Sequence, residues 1–209
     1  MSPVQSLLAF TATASILTIT PGLDTALILR TSTVEGARRA ISAGGGILLG
    51  CLIWGAAASF GAAGLLAAST LAFTTLKWVG AGYLVWAGLK LIWTPRRSFD
   101  PGAATAIAST SGAAWFRRGM LTNLLNPKVG VFYISFLPQF VPDGVAAAGW
   151  MLMLALIHCA LGAFWFAALI AAGRPLGNLL RKPAVLRALD RVTGGVFLAF
   201  GIKLALDDN

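Results

Sequence analysis

Two proline-containing breaks interrupt apolar stretches of the sequence, and an ionisable residue follows each break. Thr20-Pro21-Gly22 precedes Asp24, and Asn126-Pro127 precedes Lys128. A proline inside a helix removes one backbone hydrogen bond and clashes with the preceding turn. In lipid, the freed polar groups must be buried or line a wet cavity, so paired breaks favour a binding site over packing kinks. The predicted substrate- and proton-binding residues are Pro21, Gly22, Asp24, Asn126, Pro127 and Lys128.

The side chains of Asp24 and Lys128 are charged and lie well inside apolar stretches, where a charge needs a partner or a task. Two arrangements stay open from the sequence alone. The carboxylate and the ammonium pair with each other, or they bind the ammonium and the carboxylate of a zwitterionic substrate. The two are compatible, because a pair that opens around the substrate serves both. Asp24 is also the candidate carrier of protons, because removal from water favours the protonated form of a carboxyl group that lies well inside a span.

The composition places both breaks in a membrane protein. Of the 209 residues, 57% are apolar and only 11% are charged, and the mean hydropathy is +0.81. A soluble domain carries about 25% charged residues, so this chain has too few charged groups to cover a water-facing surface. The composition therefore argues against a soluble enzyme and against a soluble nucleic-acid-binding protein.

Six apolar segments are long enough to cross the hydrocarbon, which takes about 20 residues per helix. Because unpaired backbone groups are costly in lipid, each segment is predicted to be helical; the segments are too continuously apolar for barrel strands. The first one lacks a signal-peptide pattern and is interpreted as a membrane helix. The predicted fold is an all-α membrane protein with spans at Leu7–Leu29, Ile41–Ala67, Leu71–Trp93, Gly119–Phe140, Val145–Ala172 and Leu186–Leu206.

The basic residues predict the orientation. Of the 16 Lys and Arg residues, 12 lie between spans one and two, between spans three and four, and between spans five and six or at the start of span six. The positive-inside rule puts these three loops in the cytoplasm and both termini outside. Topology thus explains the net charge of +9, and no nucleic-acid partner is expected. Pro21 and Pro127 each lie nine residues from a cytoplasmic arginine, about 13–14 Å along a helix and so close to the bilayer midplane.

An internal repeat relates two halves of the chain. Spans three and six share six identities at an offset of 113 residues; Gly88 and Lys90, for example, match Gly201 and Lys203. The proline breaks also occupy matching spans, one and four. Because spans three and six run in opposite directions, the halves form an inverted repeat, a recurring plan of secondary transporters. The prediction is one polytopic domain, with halves 1–93 and 116–209 and a cytoplasmic linker 94–115.

Other residues carry weaker signals. Cys51 and Cys159 are far apart in the sequence and are interpreted as small buried hydrophobes. His158 is interpreted as a hydrogen-bonded structural residue rather than a proton relay. The sequence has no H-E-x-x-H and no G-x-S-x-G, so neither an enzyme nor a cofactor is predicted. Gly46 and Gly50 form a GxxxG pair, which favours close helix packing inside the chain or in a homodimer.

Three motifs carry a resemblance to a known family: Thr20-Pro21-Gly22-Leu23-Asp24, Leu125-Asn126-Pro127-Lys128 and Phe136-Leu137-Pro138-Gln139-Phe140. They resemble the motifs of the LysE/RhtB amino-acid exporter family, and the resemblance covers nearly the whole chain. It implies six transmembrane helices in the bacterial cytoplasmic membrane. It also implies export of amino acids or related small metabolites by proton exchange, without a cofactor.

One departure from the family pattern lies at the first break. Members commonly read Pro-Gly-Pro, whereas Leu23 follows Gly22 here, which restores one backbone donor and alters the cavity or its substrate preference. A single acidic residue within the spans favours neutral over dibasic amino acids. The wider superfamily leaves a metal-ion exporter as the alternative, although one His, two separated Cys and one buried carboxylate are a poor ligand set for a soft metal.

Overall fold

The computed structural model describes residues 1–68, 70–96, 98 and 111–206. Regular structure in these residues is entirely helical, which confirms the all-α prediction. Short π-helical turns at Thr31–Glu35 and Phe132–Phe136 extend two of the helices. The helices are α1 (Pro3–Ile19), α2 (Leu23–Arg30), α3 (Ala37–Ala68), α4 (Thr70–Trp93), α5 (Gly112–Leu124), α6 (Pro127–Val131), α7 (Ala147–Ala171), α8 (Gly173–Arg181) and α9 (Pro183–Leu206).

The first break separates α1 from α2. Thr20 has an extended backbone, and its N–H donates to the carbonyl of Ile16 at 3.1 Å, which closes the last turn of α1. The helix restarts after Pro21 and Gly22, with Asp24 in the first turn of α2, where a negative charge suits the helix dipole. The two helical stretches are bent by 54°. The break predicted from the sequence is therefore present.

The second break separates α5 from α6. Asn126 has an extended backbone, and its side-chain Oδ1 accepts from the backbone N–H of Lys128 at 3.1 Å. Pro127 occupies the first position of α6, where its missing N–H costs no helical hydrogen bond. Asn126 thus acts as an N-cap for the restarted helix, and the second predicted break is also present.

Glycine contacts define the relative directions of the long helices. α3 runs parallel to α5, because their contacts advance along both helices, from Gly46 against Phe116 to Gly50 against Asn123. By the same criterion α3 runs antiparallel to α7. These directions agree with the alternating passes predicted from the sequence. The GxxxG face of Gly46 and Gly50 is occupied by α5, so it serves helix packing inside the chain.

α4 and α9 pack through a reciprocal glycine contact. A Cβ on Gly88 would lie 2.7 Å from the carbonyl oxygen of Gly194, and a Cβ on Gly194 would lie 2.7 Å from that of Gly88. In the same interface, a Cβ on Gly201 would lie 3.1 Å from the carbonyl oxygen of Ala81. The 113-residue offset takes Gly88 to Gly201 and Ala81 to Gly194. The two contacts are therefore equivalent under the internal repeat, which supports it.

By length and composition, two described helical stretches qualify as membrane spans, Ala37–Gly61 and Ala147–Ala171. The bent pair of Pro3–Ile19 and Leu23–Glu35 makes a third if it is counted as one span. The rest of the six-span arrangement, and the inverted repeat of its halves, stay predictions.

The predicted linker 94–115 is shorter than expected at its C-terminal end. α5 begins at Gly112, because Ser111 has an extended backbone at its N-cap and helical structure starts directly after it. Hydropathy placed the fourth span later, at Gly119, since Arg117 and Arg118 interrupt the apolar pattern without interrupting the helix. Residues 97 and 99–110 of the linker lie outside the described part of the chain.

Aromatic rings fill the end of the bundle where α1 begins and α9 ends. The rings of Phe136 and Phe200 lie 4.2 Å apart between centroids with an interplanar angle of 41°, and Phe10 meets Phe140 edge-on at 5.4 Å. Phe10, Phe136 and Phe140 are almost completely buried. This aromatic cluster, made of Phe10, Phe132, Phe136, Phe140, Phe197 and Phe200, lies at the end of the bundle opposite the basic segments.

Candidate functional site

The side chain of Lys128 joins the two breaks. Its Nζ donates to the carbonyl oxygens of Leu17 and Thr20, each at 3.1 Å, which belong to the end of α1. Helix C-termini leave carbonyl groups without helical partners, and a cation there also meets the negative end of the helix dipole. The carbonyl groups that the first break leaves without helical partners thus accept hydrogen bonds from Lys128, the ionisable residue of the second break.

Asp24 has a different set of contacts. Its Oδ2 accepts from the side-chain Nδ2 of Asn123 at 2.9 Å, whereas its Oδ1 is buried and makes no hydrogen bond to any described residue. Within the described part of the chain, no ion pair of 4 Å or less joins Asp24 to Lys128. Direct pairing, one of the two arrangements left open by the sequence, is therefore not the arrangement in this structure.

Two cavities meet at the breaks. The larger has a volume of about 800 Å³, which lies in the range of small-molecule sites. The smaller, of about 60 Å³, is big enough for a few water molecules. Four residues line both cavities and so form the wall between them: Thr20, Gly22, Asn126 and Lys128.

The predicted site residues divide between these cavities. The larger cavity brings together five of the six: Pro21, Gly22, Asn126, Pro127 and Lys128. Asp24 lies on the smaller cavity, together with Cys51 and His158. The carboxylate is therefore separated from the large cavity by the residues that form the wall, including the ammonium of Lys128.

The described residues hold no group of three or more His, Cys, Asp and Glu side chains arranged for a metal ion. His158 accepts from or donates to the hydroxyl of Tyr133 through Nδ1 at 2.9 Å. The thiol of Cys159 contacts the carbonyl of Leu48 at 3.7 Å. Each of these side chains has a local hydrogen-bond partner of the kind expected for a buried polar group.

The chain is similar in sequence to a known family of translocators. The sequence model of the LysE type translocators matches residues 15–208. The chain belongs to this family. No solved structure matches it significantly. A translocator family supports a transporter rather than an enzyme, and the resemblance noted in the sequence is confirmed.

Three relatives are similar to this LysE type translocator over nearly its whole length. A membrane protein of Vibrio cholerae is 31% identical over 198 residues, which covers 95% of each chain. A homoserine/homoserine lactone efflux protein of Salmonella typhimurium is 27% identical and covers 94% of each chain. A leucine efflux protein of Klebsiella pneumoniae is 27% identical and covers 97% of this chain and 95% of its own.

One charged cluster at the large cavity of this translocator was not found from the sequence. Asp190 of α9 is completely buried and pairs with Arg96, at 2.5 Å from Nη2 to Oδ1. The backbone N–H of Arg96 donates to the same carboxylate at 2.8 Å, and Nη1 donates to the carbonyl oxygen of Pro21 at 2.6 Å. The interpretation of Asp24 as the single acidic residue within the spans overlooked Asp190, whose place four residues inside the predicted sixth span was the available signal.

A second unpredicted contact holds the first break against α9. The hydroxyl groups of Thr20 and Thr193 lie 2.6 Å apart, and both side chains are buried. Together with the bond from Arg96 to Pro21, this contact attaches the break to the last helix. Leu23, which replaces the proline common in the family, is 56% exposed and lines the large cavity.

Proposed function

We propose that the protein exports amino acids or related small zwitterionic metabolites from the cytoplasm, in exchange for protons. The observation that carries this proposal is the large cavity, which ends at two helix breaks joined by Lys128. Broken helices that meet near the middle of a membrane form the substrate sites of many secondary transporters. The names of the efflux proteins among the relatives support the same class of substrate.

Access to the cavity supports an inward-facing state. Three of the side chains that line the cavity, Lys90, Arg96 and Arg118, lie in or next to the basic segment between α4 and α5. The aromatic cluster packs the opposite end. If the basic loops are cytoplasmic, the structure corresponds to the state that loads substrate from the cytoplasm. Export then needs the aromatic end to open while the basic end closes, by movement of one half against the other.

The smaller cavity supports a separate place for the proton. Asp24 lies there with one buried oxygen that makes no hydrogen bond to the described residues. Lys128 borders both cavities, so a change in the charge of Asp24 acts on the same side chain that a substrate meets. We assign Asp24 the proton and Lys128 the coupling between proton and substrate. Pro21, Gly22, Asn126 and Pro127 shape the wall between them.

The topology belongs to the same proposal. The chain is one polytopic domain in the bacterial inner membrane, with six spans in two inverted halves and both termini outside. The relatives named as membrane proteins support the membrane location. The equivalent contacts of Gly88 with Gly194 and of Gly201 with Ala81 support the inverted halves.

Efflux from preloaded cells tests the proposal. Cells with and without the protein are loaded with a panel of labelled amino acids that includes leucine and homoserine, and the loss of each label is followed. We expect faster loss of one or a few neutral amino acids, and we expect this difference to vanish when the proton gradient is collapsed. Equal loss of every amino acid with and without the protein would overturn the proposal.

A further inference from the structure

The large cavity has a strongly one-sided charge. Four of its lining side chains are cationic: Lys90, Arg96, Arg118 and Lys128. Among the described residues that line it there is no Asp or Glu. Asp190 lies behind Arg96 and is completely buried, so it offsets one of these charges without reaching the cavity. The electrostatic surroundings therefore favour an anionic group and oppose a cationic one.

Lys128 is the cation placed best to bind such a group. An ammonium has three N–H donors, and two of them are used by the carbonyl oxygens of Leu17 and Thr20. Its Nζ lies 3.9 Å from the position that a Cβ on Gly22 would take, which shows how closely it approaches the first break. The absence of a side chain at Gly22 leaves room beside Nζ for a carboxylate oxygen at hydrogen-bond distance.

The amino group of a substrate finds no comparable partner. Asp24 lies on the smaller cavity, and the wall that separates it from the large one contains Lys128 itself. A substrate ammonium would have to pass a like charge to reach the carboxylate. A volume of about 60 Å³ there suits water molecules rather than the body of an amino acid.

The rest of the cavity wall is apolar. Leu23, Leu27, Tyr83, Trp86 and Phe197 line it, and Lys90 lies over the ring of Trp86 at 4.9 Å from the centroid. These side chains suit an aliphatic or aromatic tail, whose burial supplies binding energy without directional contacts. The lining thus combines one anion-binding region with an apolar surface.

From this division we infer that the cavity recognises its substrate by a carboxylate and an apolar tail, and that the amino group is dispensable. This inference rests on the proposed function and deepens it: monocarboxylic acids without an amino group enter the same site. A 2-hydroxy acid with the carbon skeleton of leucine is the simplest example. Leucinamide, which keeps the ammonium and lacks the carboxylate, binds poorly.

Calorimetric titration of the purified full-length protein tests the inference with three probes: leucine, 2-hydroxy-4-methylpentanoate and leucinamide. We expect the hydroxy acid to bind within about threefold of the leucine affinity, and leucinamide at least about tenfold more weakly. Binding of leucinamide as tight as that of leucine, or no binding of the hydroxy acid, overturns the inference. The efflux panel decides independently on export, so amino-acid export without hydroxy-acid binding would contradict the inference alone.

Matched lysine substitutions assign the binding to this cavity. Lys128→Met is expected to abolish binding of the hydroxy acid, and Lys90→Met, a milder change at an exposed residue, is expected to weaken it several-fold. Lys203 corresponds to Lys90 in the internal repeat and does not line the cavity, so Lys203→Met is the control. Equal affinity in Lys90→Met and Lys203→Met would contradict the location, even if Lys128→Met failed to fold.

Discussion

Arg96 and Asp190 join the segment after α4 to α9 through an ion pair of 2.5 Å, with the carboxylate completely buried. The same guanidinium donates to the carbonyl oxygen of Pro21 at 2.6 Å. One side chain thus ties the last helix to the first break. This relationship gives the pair a structural role at the edge of the large cavity.

Removing one partner of this pair should destabilise the protein. Arg96→Gln leaves a buried carboxylate without its main compensating charge, and we expect the free energy of unfolding to fall by about 2–3 kcal/mol. This loss is smaller than for a fully buried pair, because the Arg96 side chain is 37% exposed. The double variant Arg96→Gln/Asp190→Asn should recover part of this loss, since no buried charge remains. Thermal unfolding of the purified protein in detergent measures the order of stabilities.

Arg39→Gln is the control for that series. Arg39 pairs with Glu35 at 2.7 Å in an i,i+4 arrangement in which both side chains are only partly buried, and such a pair is worth less than about 1 kcal/mol. If Arg39→Gln and Arg96→Gln lowered the unfolding temperature equally, the structural role of the Arg96–Asp190 pair would be wrong.

The glycine contact between α4 and α9 should not tolerate a methyl group. Gly88→Ala places a Cβ about 2.7 Å from the Gly194 carbonyl, and we expect the helices to separate at a cost of about 1–3 kcal/mol. Gly82→Ala is the matched change on the same helix, where a Cβ meets open space and alanine improves helix propensity. Unfolding temperatures of both variants test the contact, and a Gly88→Ala protein as stable as Gly82→Ala contradicts it.

Cysteine labelling in intact cells tests the orientation. In a variant whose Cys51 and Cys159 are replaced by Ala, Ser98→Cys lies next to the basic loop that follows α4, and Ser2→Cys lies at the N-terminus. A membrane-impermeant maleimide is expected to label Ser2→Cys from outside and to label Ser98→Cys only after the cells are opened. The reverse pattern would place the basic loops outside.

Features set by local chemistry were predictable from the sequence. Pro21 and Pro127 interrupt the helices because proline lacks the N–H that the helix needs, and this effect requires no knowledge of the neighbours. The all-helical class was predictable because each long apolar segment must satisfy its own backbone hydrogen bonds in lipid. The start of α5 was placed late, since Arg117 and Arg118 change hydropathy while leaving helix formation intact.

Contacts between distant segments were not predictable. Asp24 and Lys128 were correctly placed at the breaks, but their partners depend on packing: Asn123 comes from α5, and the carbonyl of Leu17 belongs to α1. The Arg96–Asp190 pair joins residues 94 positions apart. Such distant partners leave no local pattern in a single sequence.

Proton movement coupled to amino-acid flux is the decisive test of proton exchange through Asp24. Purified protein is reconstituted into vesicles that contain a pH-sensitive dye, and leucine is supplied on one side. We predict that leucine movement by the unmodified protein drives protons in the opposite direction. Asp24→Asn should abolish both fluxes while it still folds, whereas Asp143→Asn, at a fully exposed loop carboxylate, should change neither. Undiminished, proton-coupled leucine transport by Asp24→Asn would contradict the account.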